Sequence, residues 1–188
     1  MTALDNLQRL LPPPQPRPAA VDWNAVERDV GLALPDDYKQ LVDTYGPVEF
    51  SSTVRLAVPG HPAPSLDLLW WIREARDRLG DPDFPPRWDQ IPDGFSLDPQ
   101  RLIAWGKLGG GEYCLWHTTP DPEAWRVVVG SNAGWGFYPG TLTGFLVALL
   151  TKTLPAERFF DDITDLVDEN GIYYDLHQPD GTVRTRAD

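Results

Sequence analysis

Several residue groups in this chain have types and spacings that invite chemistry, and each must be weighed against its local pattern. Lys107 sits inside Gly106-Lys107-Leu108-Gly109-Gly110-Gly111, which loosely resembles a phosphate loop. Such a loop needs a strand before it and a helix after it, so that backbone N–H groups and the helix dipole converge on phosphate. Here a strand pattern follows, and no Ser or Thr follows the lysine, so the segment reads as a hairpin turn. Cys114 and His117 are three residues apart. On a strand that odd spacing sends them to opposite faces, so they form neither a nucleophilic pair nor half of a zinc site. His61 and His177 have no ligand partner at motif spacing, and no metal or other cofactor is expected. Asp168-Glu169-Asn170-Gly171 lacks the alternating oxygen ligands of a calcium loop and reads as a helix end. Asp36/Asp37 and Asp161/Asp162 are sequence neighbours. Neighbours on a helix do not face one another, so these are not acid/base pairs by themselves. No catalytic residue is expected; a carboxylate pair assembled in space would need a pocket that spacing alone does not show.

Aromatic residues offer a different kind of chemistry. The chain has eight tryptophans, seven of them at positions 70–135. Most must fill a core. Trp70 and Trp71 are adjacent and cannot share a face. An aromatic left exposed near Ser131-Asn132-Ala133-Gly134-Trp135-Gly136 would suit a protein interface, where tryptophan and tyrosine are preferred hot spots.

The elements that position these groups follow from hydrophobic period and punctuation. Leu4, Leu7, Leu10 and Leu11 after Thr2 predict a short helix. The proline cluster from Pro12 to Pro18 predicts a stiff, extended linker packing that helix onto the body. Asp22 caps a helix carrying Trp23, Val26 and Val30, and Gly31 ends it. Leu34-Pro35-Asp36-Asp37-Tyr38 opens another, with stripe Tyr38, Leu41, Val42, Tyr45 and a stop at Gly46. A strand is expected over 54–58 and a loop over 59–64. A helix from a Ser65 cap to Leu79 should turn Leu66, Leu69, Trp70, Ile72 and Ala75 mostly inward. Residues 81–100 read as a long ordered loop. Strands over 101–105 and 112–116 flank the glycine-rich turn, and others cover 125–129 and 135–138. A buried helix over 141–152, a helix over 155–169, and a hairpin of 172–177 with 182–186 complete the chain. The fold class is α+β, with a mostly antiparallel central sheet flanked by helices. The expected organisation is an N-terminal helix and proline-rich linker over 1–19, an α+β domain over 20–152, and a C-terminal helix and hairpin over 153–188 packed on the same domain.

Composition bounds the partners. With 188 residues one domain is the default, long enough to bury roughly 70% of its unfolded surface. The single cysteine rules out an internal disulfide. No signal-peptide or membrane-spanning run is present, so a cytoplasmic address is expected. The net charge is -12, from 28 acidic and 16 basic residues. Nucleic-acid binders need a cationic face, and no clustered Lys/Arg tract exists here. Acidity steers association toward basic partners.

Trp23-Asn24-Ala25-Val26-Glu27, then Gly31-Leu32-Ala33-Leu34-Pro35-Asp36-Asp37-Tyr38-Lys39 and Tyr45-Gly46, resemble the opening motif of the SUKH superfamily. That superfamily includes the yeast cell-wall-assembly regulator of the Smi/Knr type. Leu102-Ile103-Ala104-Trp105-Gly106, Tyr113 to Trp116, Trp125 to Val129 and Phe145 to Leu150 extend the similarity over roughly residues 20–152. The resemblance implies an α+β fold, no catalytic motif, and function through a variable surface. Many bacterial members are immunity proteins that bind and neutralise toxin domains.

The function expected is therefore protein binding, with an acidic face and aromatic anchors covering the basic surface of a toxin domain. Glu49, Asp67, Glu112, Trp135 and Tyr138 are the partner-binding candidates, chosen as charges and aromatics at strand ends and turns near the glycine-rich hairpin. The alternative is a regulatory or scaffold module of the cell-wall-assembly-regulator type. An enzyme is the third reading.

Overall fold

The computed structural model describes residues 1–80, 98–109, 111–130, 134–155, 159, 163, 167 and 171–187. Helix α1 (Ala3–Leu10) begins at a reciprocal capping box, in which Thr2 and Asp5 satisfy each other's backbone N–H. Helix α2 (Trp23–Val30) starts on the Asp22 carboxylate and ends at left-handed Gly31. Helix α3 (Asp36–Tyr45) buries the predicted stripe Tyr38, Leu41, Val42 and Tyr45. Two short strands follow, β1 (Val48–Phe50) and β2 (Val54–Leu56), then helix α4 (Leu68–Leu79). The long hairpin β3 (Leu102–Leu108) and β4 (Tyr113–His117) leads to β5 (Arg126–Gly130), β6 (Trp135–Tyr138) and helix α5 (Leu142–Leu150). Strands β7 (Tyr173–His177) and β8 (Val183–Ala187) close the chain.

All eight strands form one sheet, ordered β6-β5-β4-β3-β2-β1-β7-β8, and every pairing is antiparallel. The fold is thus α+β, as the sequence predicts. The C-terminal hairpin extends the sheet through β1: Glu49 lies opposite Asp175 and Phe50 opposite Tyr174.

Strand alternation divides the residues between two faces. On one face, Phe50 and Tyr174 meet Tyr45 of α3 edge-to-face, and Trp116 meets Tyr38. Helix α5 packs Phe145 against Trp105 and Tyr138 on the same side, and α1 lies on α5 and α3. Trp105 and Trp116 are almost wholly buried, and Trp105 donates its indole N–H to Leu115 O at 3.0 Å. The other face is covered by α4, whose Trp71 packs on Tyr113 and lies under Lys107 Nζ. Glu49, Arg55, Lys107 and Tyr113 run in register across this second face.

The proline-rich segment works as a strap. Prolines supply no N–H, so its carbonyls depend on side-chain donors. Tyr45 Oη donates to Leu11 O at 2.6 Å, Tyr174 Oη to Pro12 O at 3.0 Å, and Arg186 to Pro13 O at 3.3 Å. Gly46 is required where the strap crosses α3, because a Cβ there would sit 3.0 Å from Pro18 at a positive φ of 71°.

The structure revises four expectations. Helix α4 begins at Leu68, and its cap is Asp67, not Ser65; residues Pro64–Leu66 form a separate 3-10 turn. That start puts Leu68, Trp71, Ile72 and Ala75 inward and turns Trp70 out, 37% exposed. An aspartate carboxylate bonding the Trp70 N–H at 2.9 Å fixes the choice. Second, Gly106 and Lys107 belong to strand β3 and not to the turn. A Cβ at Gly106 would lie 2.3 Å from Arg55 O, so this glycine marks close approach of β2 and not a bend. Third, β1 was not anticipated; three residues are too few to display a period. Fourth, β2 ends at Leu56 and not at Val58, which makes only an isolated bridge to Asp67. The helix expected over 155–169 lies outside the described residues, apart from Pro155 and the buried Phe159, Ile163 and Val167, as do residues 81–97 of the loop expected over 81–100, which ends in a 3-10 turn, Pro99–Arg101.

Candidate partner-binding surfaces

The acidic charge is concentrated on α2, the N-terminal end of α3 and the turn preceding β5. Asp22, Asp29 and Asp36 are exposed there, joined by Asp43 in the last turn of α3, by Asp121, which caps the Pro122–Ala124 turn, and by Glu123 within that turn. Bonds between these elements hold the ridge in shape. The Asp36 N–H donates to Glu123 at 2.8 Å, and the Trp23 indole N–H donates to both Asp43 oxygens at 3.0 and 3.2 Å. Asp37 accepts from the Thr143 N–H at the start of α5 at 2.7 Å. Glu27 crosses the α2–α3 turn to accept from Leu34 N–H at 2.9 Å and from Lys39 at 3.0 Å. These two partners, the backbone N–H first, hold the Glu27 carboxyl below the usual range. Lys39 also pairs with Asp36, while Arg28 of α2 is exposed. Beside Glu27, in the turn between the helices, Leu32 is 44% exposed and lines a shallow depression with Asn24, Arg28 and Ala33.

The five residues singled out from sequence do not form one patch. Glu49 lies on β1 with its carboxylate 3.0 Å from Arg55 and 3.4 Å from His177 Nε2. Asp67 is occupied at the start of α4, accepting from Gly60 N–H as well as Trp70 N–H, both at 2.9 Å. Glu112 is half-buried in the β3–β4 turn; its Oε2 has no hydrogen-bond partner among the described residues. It adds to burial in pushing the enclosed Cys114 thiol well up. Trp135 is buried, with its ring against Gly130. Tyr138 is half-buried and packs on Phe145, on the opposite face of the sheet from Glu49. Sequence reasoning missed the ridge because its members come from three elements. The signal available was the density of Asp and Glu flanking the Leu32–Ala33 turn.

A second, differently charged region lies at the other end of α3. The strap, the Val58–Pro62 loop and the β7–β8 hairpin enclose a cleft of about 490 Å³, with Tyr45 and Gly46 in its wall. A neighbouring cavity of about 480 Å³ shares His61, Pro62, His177, Gln178 and Pro179 with it.

The fold and these surfaces define a helix-flanked antiparallel α+β domain. Among its described residues no cluster of His, Cys, Asp and Glu could hold a metal ion. A family model, SUKH_6 (SMI1-KNR4 cell-wall), matches residues 21–138, and the chain belongs to that family. The match runs from the start of α2 to the end of β6, so it contains the acidic ridge and leaves the strap and the C-terminal hairpin outside. No curated protein and no solved structure matches the chain. No helix among the described residues is long and apolar enough to cross a membrane.

Proposed function

We propose that this chain is a protein-binding, immunity-type protein that neutralises a basic toxin domain by occluding its active surface. SUKH domains in general act through protein–protein interaction. The observation that carries the proposal is the ridge: exposed carboxylates from three elements are held by hydrogen bonds, and the α2–α3 turn carries the exposed Leu32 beside Glu27 and Arg28. An apolar anchor beside charge fits an interface with a central hot spot and an electrostatically steering rim. No catalytic role is assigned to the chain. The acidic surface would compete with the toxin's substrate for a cationic site, which requires no chemistry from the inhibitor.

The test is capture of partners from the producing cell, with washes at low and high salt, followed by an activity assay of the captured protein. The expected partner is basic, is loosened by salt, and loses its activity in proportion to bound chain. Leu32→Ala should weaken binding by about 2 kcal/mol, and Asp29→Lys with Asp43→Lys should slow association. A salt-insensitive housekeeping partner, unaffected by the ridge substitutions, would support the alternative of a regulatory or scaffold module.

A further inference from the structure

We infer that the cleft between the proline strap and the C-terminal hairpin binds an extended peptide segment carrying a carboxylate among apolar side chains. This site is separate from the ridge proposed above. Prolines of the strap and the Val58–Pro62 loop line the cleft together with Val42, Tyr45 and Leu176. In a chain whose acidic residues outnumber basic ones 28 to 16, none of the residues lining this cleft is Asp or Glu. The ionisable groups that do line it, besides the deeply buried Tyr45 hydroxyl, are Arg17, Arg184, His61 and His177. Arg17 and Arg184 are exposed and make no ion pair among the described residues. The nearby Asp180 in the hairpin turn lines the neighbouring cavity; its Oδ1 accepts from the Thr182 N–H at 2.9 Å and hydroxyl at 2.7 Å, and Arg184 adds a weaker pull on its carboxyl.

His61 adds a donor. Its Nδ1 accepts from the Ala63 N–H at 3.1 Å, so in the neutral ring the proton sits on Nε2. That Nε2 has no hydrogen-bond partner among the described residues. The C-terminal end of α3 brings a fraction of a negative charge to the wall, against two full guanidinium charges. An anion is therefore the complement of the cleft's polar part, and aliphatic groups are the complement of the rest.

Shape favours a chain over a compact molecule. The cleft continues past His61 and His177 into the neighbouring cavity, giving a path along the hairpin. Strand β8 is the last strand of the sheet among the described residues and contributes Arg184 to the cleft, so an extended segment there runs beside the hairpin that carries the cation. The strap is pre-ordered by its three side-chain donors, which lowers the entropic cost of closing on a ligand.

The experiment is titration calorimetry of the full chain with two acetylated, amidated pentapeptides. One alternates leucine and valine with glutamate; the other replaces each glutamate by glutamine. The glutamate peptide should bind at least about tenfold more tightly, as expected for a charge-assisted contact. Arg17→Gln with Arg184→Gln should abolish that preference, while Arg28→Gln on α2 should leave it intact. Equal binding of both peptides, no binding at millimolar peptide, or unchanged preference in the double variant would overturn the inference. Displacement of the peptide by an equal concentration of hexanoate would also overturn it, by replacing the peptide with a small carboxylate. The double variant retains the ridge, so its capture of the basic partner reads the proposed function independently.

Discussion

The two ends of α3 face opposite tasks. At its N-terminus, aspartates complement the helix dipole and merge with α2 and the Pro122–Ala124 turn into a convex acidic ridge. At its C-terminus, Tyr45 and Gly46 meet a proline strap and a hairpin around a concave, cation-lined cleft. The ridge reaches along the helix to Asp43, only two residues before Tyr45 of the cleft wall. Net charge therefore says little about what this molecule recognises. What counts is where the sheet and helices place the minority cations, and the fold gathers Arg17 and Arg184 at one end, with His61 and His177 beside them.

Breaking the shared scaffold should erase both regions together. Trp116 is buried between Tyr38, Trp105 and Trp125, so Trp116→Ala should cost about 3–5 kcal/mol in urea unfolding. A smaller loss with the ridge intact would show that the two ends fold independently. Removing the strap's donors should separate the regions. Tyr45→Phe with Tyr174→Phe leaves the carbonyls of Leu11 and Pro12 without donors, at about 1–3 kcal/mol each. Limited proteolysis should then cut near residues 12–18 faster while Leu32-dependent partner binding persists.

Glu27→Gln sharpens the ridge side, with an expected loss of about 1 kcal/mol at neutral pH. Because the folded Glu27 carboxyl titrates below its unfolded value, its contribution is complete above about pH 4.3. It disappears as pH falls through the folded value. Thermal melts from pH 6 to 3 should fall less steeply in the glutamine variant. The smallest effect belongs to His117 at the end of β4. Burial first, then Arg101, lowers its pKa. The neutral ring is thus favoured on folding, so stability is complete above about pH 6.5 and declines as pH falls from there. His117→Gln should remove that decline without changing either binding region.

Much of the fold is legible in the sequence because its signals are local. Thr2, Asp22, Gly31 and Gly46 mark helix ends, and the stripe Tyr38, Leu41, Val42, Tyr45 has a helical period. Legibility fails where the deciding contact is distant. Gly106 resembles a turn residue until Arg55 O of the neighbouring strand is brought against it. Asp67 resembles a free surface charge until the Gly60 and Trp70 N–H groups converge on it. The candidate site was harder still. Glu49 and Tyr138 fall on opposite faces of the sheet, and Trp135 is buried. The ridge depends on Asp43 reaching Trp23 and on Glu123 reaching Asp36, 87 residues away. Residue type and expected position at strand ends and turns gave the first set; only the tertiary fold assembles the second.

The most direct test is site-specific photocrosslinking in the producing cell, with a benzophenone amino acid at position 32 and, separately, at position 184. The account predicts one basic protein crosslinked from position 32, lost when Asp29 and Asp43 are reversed to lysine, and absent from position 184. A crosslink to the same protein from position 184, or no crosslink from position 32, would contradict it.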